Sequence, residues 1–236
     1  MKDGETRMAR GAGIAAILGI VLIAAANIQL GSPPKADAPA REVLAFRSGH
    51  RSQALIYAYL FGIGLMLLTW FGAALRLRLR RAGDSSALPD MVLAAAVWIA
   101  AADAINVGVT ATAAFRAPGL DARTAQVLAD FGNVGFALLG IPFAVLFGAT
   151  AISAMATRAL PRWLVWLGAL TAILNLLKPI TMFARSGALA PNGALTLVPL
   201  IPIWVWTIAV GVRMARGVKH PVAQPAQGPS PAPARS

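Results

Sequence analysis

"ALIYAYLFGIGLMLLTWFGAALRLRLRR", residues 54–81, decides how this chain must fold. Residues 54–75 carry no charge, and Arg76, Arg78, Arg80 and Arg81 follow at once. A bilayer's hydrocarbon core is about 30 Å thick, so a spanning helix needs about 20 apolar residues. A basic cluster abutting such a run anchors it among anionic headgroups. The same cluster could be read as a nucleic-acid patch, but its direct join to an apolar block favours the stop-transfer reading, with no nucleic-acid partner.

Five further blocks meet the same test: 12–30, 91–115, 131–155, 163–184 and 195–214. Together they predict an all-α, polytopic bundle of six transmembrane helices whose constant partner is the lipid bilayer. Composition agrees. Hydrophobic residues make up 58% and charged residues 13%, against about 25% charged in ordinary soluble domains, which leaves too little polar surface to coat a soluble globule. The first block also has the parts of a cleavable signal peptide, but it is long for one and five more spans follow. The chain has no cysteine, which excludes a disulfide framework and a thiolate metal site. Arginine outnumbers lysine, and alanine and glycine are abundant. That usage points to a bacterial source and, with the spans, to a multi-pass protein of the bacterial cytoplasmic membrane.

Threading follows from the basic residues between spans. With the N-terminus in the cytoplasm, the inner segments hold thirteen Lys and Arg and the outer segments seven. Both termini are therefore expected in the cytoplasm. The expected organisation is a cytoplasmic N-terminus over 1–11, a membrane domain over 12–216 and a disordered, Pro-rich cytoplasmic tail over 217–236.

The loops are short. "AREVLAFRSG" (40–49) reads as a surface helix with Pro39 in its first turn. "GLDARTAQVLAD" (119–130) reads as a second, with Asp121 as N-cap and Ala125, Leu128 and Phe131 on one side. Each precedes a span, and similar short strings recur, so a parallel repeat of surface helix, span, turn and span is one reading of 40–184. Pro142 should kink the fourth span, and Pro179, Pro199 and Pro202 should break the last two. Trp70, Trp163 and Trp166 read as an interfacial belt at the inner side, with Tyr57 and Tyr59 at the outer one. Trp98, Trp204 and Trp206 should pack inside the bundle.

The polar residues are few and placed with regularity. In "AVWIAAADAINVGVT" (96–110), Ile99, Asp103, Asn106 and Thr110 share one helical stripe. Thr171, Asn175, Lys178 and Met182 do the same in the fifth span. A charge at mid-membrane costs at least about 2.5–3.5 kcal/mol. Asp103, Asn106, Asn175 and Lys178, at similar depth, therefore form the candidate polar centre, and Asp103 and Lys178 are candidates for a direct pair. On the fourth span, Asn133, Ala137, Gly140, Ala144, Gly148 and Ala151 form a mostly small face that lets backbones approach.

No phosphate-binding glycine loop, zinc-protease signature or serine-hydrolase elbow occurs. No cofactor is implied, no catalytic residue is expected, and the chain leans away from being an enzyme. "FGAALRLRLRR" (71–81), "LDARTAQVLAD" (120–130) and "LPRWLVWLGAL" (160–170) together resemble the multi-span bacterial membrane proteins grouped under domain-of-unknown-function labels. The resemblance spans about residues 8–216. It implies a compact helical bundle and brings no activity with it. Two functions stay open: a binding or transport bundle for a small-molecule ligand or protons centred on Asp103, and an accessory membrane subunit whose polar residues lock helix packing. Oligomeric state is not legible.

Overall fold

The computed structural model describes residues 2–191 and 193–216; the expected disordered tail, 217–236, lies outside them. Among the described residues the chain is helical throughout, without a strand. Six segments are long and apolar enough to cross a membrane: 7–30, 51–81, 88–119, 122–157, 162–183 and 195–215. The chain is a multi-pass membrane protein.

The first span is helix α1 (Lys2–Leu30). It starts ten residues before its apolar block, because nothing in 2–11 breaks the helix that the block nucleates. The surface helix α2 (Ala40–Gly49) forms as expected, with Pro39 as its N-cap and not inside its first turn. The second and third spans are α3 (Arg51–Arg81) and α4 (Leu88–Arg116). At about 1.5 Å per residue α3 is roughly 46 Å long, so its arginine end projects beyond the hydrocarbon. There Asp90, in the first turn of α4, accepts hydrogen bonds from Arg76 at 2.6 Å and Arg80 at 2.5 Å, which staples the turn between the two spans.

The fourth span departs from expectation. Its preceding surface helix does not stand apart: α5 (Ala122–Leu138) runs through both, and the break falls at Leu139, before α6 (Gly140–Thr157). Pro142 is the cause, since it offers no N–H to the carbonyl four residues earlier. Asp121 caps α5 as expected, accepting from the Thr124 hydroxyl at 2.6 Å and from the Thr124 backbone at 3.0 Å, and these bonds, the hydroxyl's first, hold its carboxyl below the ordinary carboxylate range. Ala125 is buried, but Phe131 faces outward.

Helix α7 (Arg162–Leu177) stops before Pro179 and continues as a 3-10 segment over 178–183. The Asn175 carbonyl, denied the N–H of Pro179, accepts from the Lys178 N–H. Pro199 and Pro202 act differently from expectation. After the short α8 (Ala194–Leu197), Pro199 is the N-cap of α9 (Leu200–Ala215) and Pro202 lies in its first turn. A proline's missing N–H costs nothing there, because first-turn donors have no helical partner.

The packing is uneven along the axis. One end carries the arginine turns at 82–87 and 158–161. Near it lies the larger core, built on Leu75, Leu79, Phe147, Leu164, Trp206 and Val210 from α3, α6, α7 and α9. Trp206 is 1% exposed, donates from Nε1 to the Leu164 carbonyl at 2.9 Å, and meets Phe147 edge-on at 5.0 Å. A second, smaller cluster (Ile23, Ala26, Phe61, Leu65, Val107) sits toward the other end. Large apolar side chains on every span face outward, among them Leu18, Met66, Ile105, Ile152, Ile173 and Val205, as a lipid-facing surface requires. Trp98 belongs to this surface at 53% exposure and not to the interior expected for it.

Candidate functional site

The end of the bundle opposite the arginine turns is hollow. A cavity of about 510 Å³ runs inward between α1, α3, α4, α5 and α9, with α2 and residues 31–35 at its mouth. Its level at the mouth is set by Arg51, whose Nε donates to the Ala114 carbonyl at 3.2 Å. Ala114, Thr110, Asn106 and Asp103 line it in descending order along α4. Eleven residues of helix separate Ala114 from Asp103, so the carboxylate lies roughly 16 Å below the mouth.

Asp103 is 8% exposed. Among the described residues no hydrogen bond or ion pair reaches it. Asn106 and Asn133 also line the cavity, and among the described residues their side-chain amides have no hydrogen-bonding partner. A buried polar group without a protein partner needs water or a ligand, and this cavity is polar enough along α4 and α5 to hold either. Gly135 makes the approach of α5 possible, since a Cβ there would run into the Asn106 side chain. Aromatic side chains close the walls: Tyr57, Phe61, Phe136 and Trp204. Tyr57, expected in the outer belt, turns into the cavity, because the stripe that carries it also carries buried Ala54 and Phe61 toward the bundle interior.

The mouth has the opposite sign. Lys35, Arg47 and His50 line it. Burial pushes the Arg47 guanidinium below its usual value, although arginine stays charged in any accessible pH range. His50 stacks on Phe46 with ring centres 4.2 Å apart and places Nδ1 2.9 Å from the Phe46 carbonyl. Ser48 and Ser52 beside it are exposed and form no catalytic arrangement.

The other half of the expected polar centre lies outside the cavity. Asn175 is fully buried, with its Nδ2 donating to the Thr171 carbonyl at 2.9 Å and its Oδ1 unpartnered. Lys178 is 3% exposed, and its Nζ lies 3.3 Å from the ring centre of Phe136, with no hydrogen-bond partner. The ring that lines the cavity is thus the ring on which the ammonium rests. No ion pair joins Asp103 and Lys178; the ammonium rests on Phe136 instead. What brings α7 so near is Gly140: a Cβ there would strike the Asn175 carbonyl and crowd Lys178 and Pro179.

The sequence stripe of Asp103, Asn106 and Thr110 marked the floor of this cavity. Its walls were missed, although Asn27 and Asn133, lone amides in apolar blocks, carried a signal. No family model, curated protein or solved structure matches the chain.

Proposed function

We propose that this chain is a binding bundle of a bacterial cytoplasmic membrane, which takes a small organic cation into the cavity with Asp103 as the counter-charge. The observation that carries the reading is a polar, aromatic-walled cavity reaching a carboxylate that no hydrogen bond or ion pair engages among the described residues. A carboxylate supplies charge recognition, and aromatic faces attract cations by about 0.5–2 kcal/mol each when desolvated. A cation and a proton would compete for the same two oxygens, which gives the binding a built-in link to pH and makes proton-linked transport the natural extension. The threading that suits this reading has both termini in the cytoplasm and the cavity mouth outside. Single cysteines introduced at Ser85 and Ser186 of this cysteine-free chain should then label from opposite sides, with Ser186 outside.

The direct test uses purified protein in nanodiscs and titrates choline, benzylammonium and tetraethylammonium by calorimetry. Saturable binding should fall about tenfold or more in Asp103→Asn, a loss typical of removing a charged partner, and should weaken as pH is lowered. Absence of binding to all three cations, or equal binding by the Asn variant, contradicts the reading. The alternative, an accessory subunit locked by polar contacts, draws on Asn175 and Lys178, whose contacts are internal. It expects Asp103→Asn to matter for stability and not for any ligand.

A further inference from the structure

The basic mouth of the cavity is a feature that a simple cation does not use. Lys35, Arg47 and His50 line it, and Asp103 is the one carboxylate among the described residues that line the cavity. The carboxylates nearest in sequence to the mouth, Asp37 and Glu42, are exposed and do not line it. Arg47 is half-buried on α2, and among the described residues no hydrogen bond or ion pair engages its side chain. The cavity therefore holds negative charge at its floor and positive charge at its mouth, roughly 16 Å apart. A ligand with one positive charge and nothing else would suit the floor and be repelled at the mouth.

Between the two ends the walls carry side-chain amides. Gly135 of α5 lies level with Asn106 of α4, since a Cβ there would meet the Asn106 amide. Helix α5 runs from the mouth inward, so Asn133 stands roughly 3 Å nearer the mouth than Gly135, and Gln126 roughly 14 Å nearer. The Gln126 Oε1 is buried without a hydrogen-bond partner. Asn27, one turn before the end of α1, also lines the cavity and donates from Nδ2 to the Ile23 carbonyl at 2.8 Å. A side-chain amide offers a carbonyl acceptor and N–H donors, which complement the one donor and one acceptor of a peptide group. An alkyl ligand would leave these amides unpaired, and an unpaired buried polar group is costly.

We infer, building on the reading of Asp103 as counter-charge, that the cation this cavity takes is the amino terminus of a short zwitterionic peptide. The peptide lies along the cavity axis, with its ammonium at Asp103, its backbone between the amides and its carboxylate at Arg47 and Lys35. A guanidinium matches a carboxylate with two parallel hydrogen bonds. An extended chain covers about 3.3–3.6 Å per residue, so about four residues join floor to mouth, and a single amino acid cannot touch both. The volume of about 510 Å³ falls within the roughly 300–1,000 Å³ usual for small-ligand sites and favours small side chains.

Calorimetry on the full chain in nanodiscs tests this with tetra-alanine, its C-terminal amide and benzylammonium as separate probes. Wild type should bind tetra-alanine about tenfold or more tightly than the amide, which keeps the ammonium and the peptide groups but lacks the carboxylate. Lys35→Gln/Arg47→Gln should bring tetra-alanine down to the affinity of the amide. Both peptides are read on the same variant, so a general loss of fold lowers both and leaves their ratio unchanged. Arg41→Gln removes an exposed charge of α2 that does not line the cavity. It should keep the wild-type ratio and so separates a built site from bulk charge. Three results overturn the inference: equal binding of the two peptides by wild type, a ratio that survives in the double variant, or a ratio lost in Arg41→Gln. Benzylammonium bound in an Asp103-dependent manner without a preference for tetra-alanine leaves the cation reading standing and removes the peptide alone. No binding of benzylammonium or of either peptide removes both.

Discussion

The two ends of this bundle solve the same packing problem in opposite ways. At the arginine end, α3, α6, α7 and α9 close on a solid core of Leu75, Leu79, Phe147, Leu164 and Trp206. At the other end α1, α3, α4, α5 and α9 stand around a cavity of about 510 Å³ lined by Asp103, Asn106 and Asn133. In lipid, helix association rests on close packing and interhelical hydrogen bonds, because hydrocarbon surrounds the bundle anyway. A half whose helices do not close on one another forgoes stability, and the solid half must hold the helices for both. The difference teaches where to look for function: in the half that leaves its packing incomplete and its carboxylate unpaired.

The largest effect should separate the two ends. Trp206→Ala removes a buried ring, its edge contact and an interhelical hydrogen bond. A cost of about 2–4 kcal/mol is expected, since the cavity penalty persists in lipid while the transfer term weakens. Asn133→Leu, on the cavity wall, should change stability by less than about 1 kcal/mol. Chemical unfolding in detergent reads both, and similar costs would erase the distinction between solid and hollow halves.

Gly140→Ala acts on the boundary between them. The new methyl would meet the Asn175 carbonyl, backbone against side chain with no flexible atom to yield. Overpacking of this kind costs about 1–3 kcal/mol. It should also displace the 3-10 segment that holds Lys178 on Phe136. A tryptic digest should then cut faster after Arg185 than in wild type; unchanged stability and cleavage would show that α6 and α7 are free to separate.

Much of this was legible in the sequence, for a physical reason. Transmembrane length and basic flanks are set by the bilayer, so six spans could be counted from apolar runs alone. The stripe of Asp103, Asn106 and Thr110 was legible because a polar residue in a spanning helix must face inward. What resisted reading depends on partners. Leu139 as a break point follows from Pro142, but only the packing of Gly140 on Asn175 says where the chain bends. Trp98 and Tyr57 exchanged their expected places, one facing lipid and the other the cavity, because an aromatic residue suits either setting. Nothing in the sequence distinguished a Lys178 that meets Asp103 from one that rests on Phe136.

The polar fittings of the arginine end give a smaller effect with a defined sign. Contact with the Ser153 hydroxyl, followed by Ser86, holds the Asp84 carboxyl below the usual carboxylate range. Its unfolded value is about 3.9. Ionised Asp84 thus adds stability above that pH, and the contribution fades as pH falls through the lower folded value. The gap in unfolding temperature between wild type and Asp84→Asn should be level from pH 7 to 5 and close below about pH 4. A gap that widens in acid would mean that the folded carboxyl titrates above its unfolded value. Smaller still is Arg158→Gly. Arg158 ends α6 with φ at 55°, a left-handed conformation that glycine adopts freely, so the change should stabilise by up to about 1 kcal/mol. Destabilisation in the same unfolding assay would show that the arginine side chain outweighs its backbone strain.

The central claim is that water and ligands reach Asp103 from one end of the bundle while the other end stays dry. Single cysteines replace Asn106 (Asn106→Cys) on the cavity wall and Thr171 (Thr171→Cys), which is fully buried on α7. A small, charged thiosulfonate reagent is then applied to the folded protein in nanodiscs. The account predicts rapid labelling at position 106, slowed by a cation that occupies the cavity, and none at position 171 until the protein is unfolded. Protection of position 106 equal to that of position 171 would contradict it.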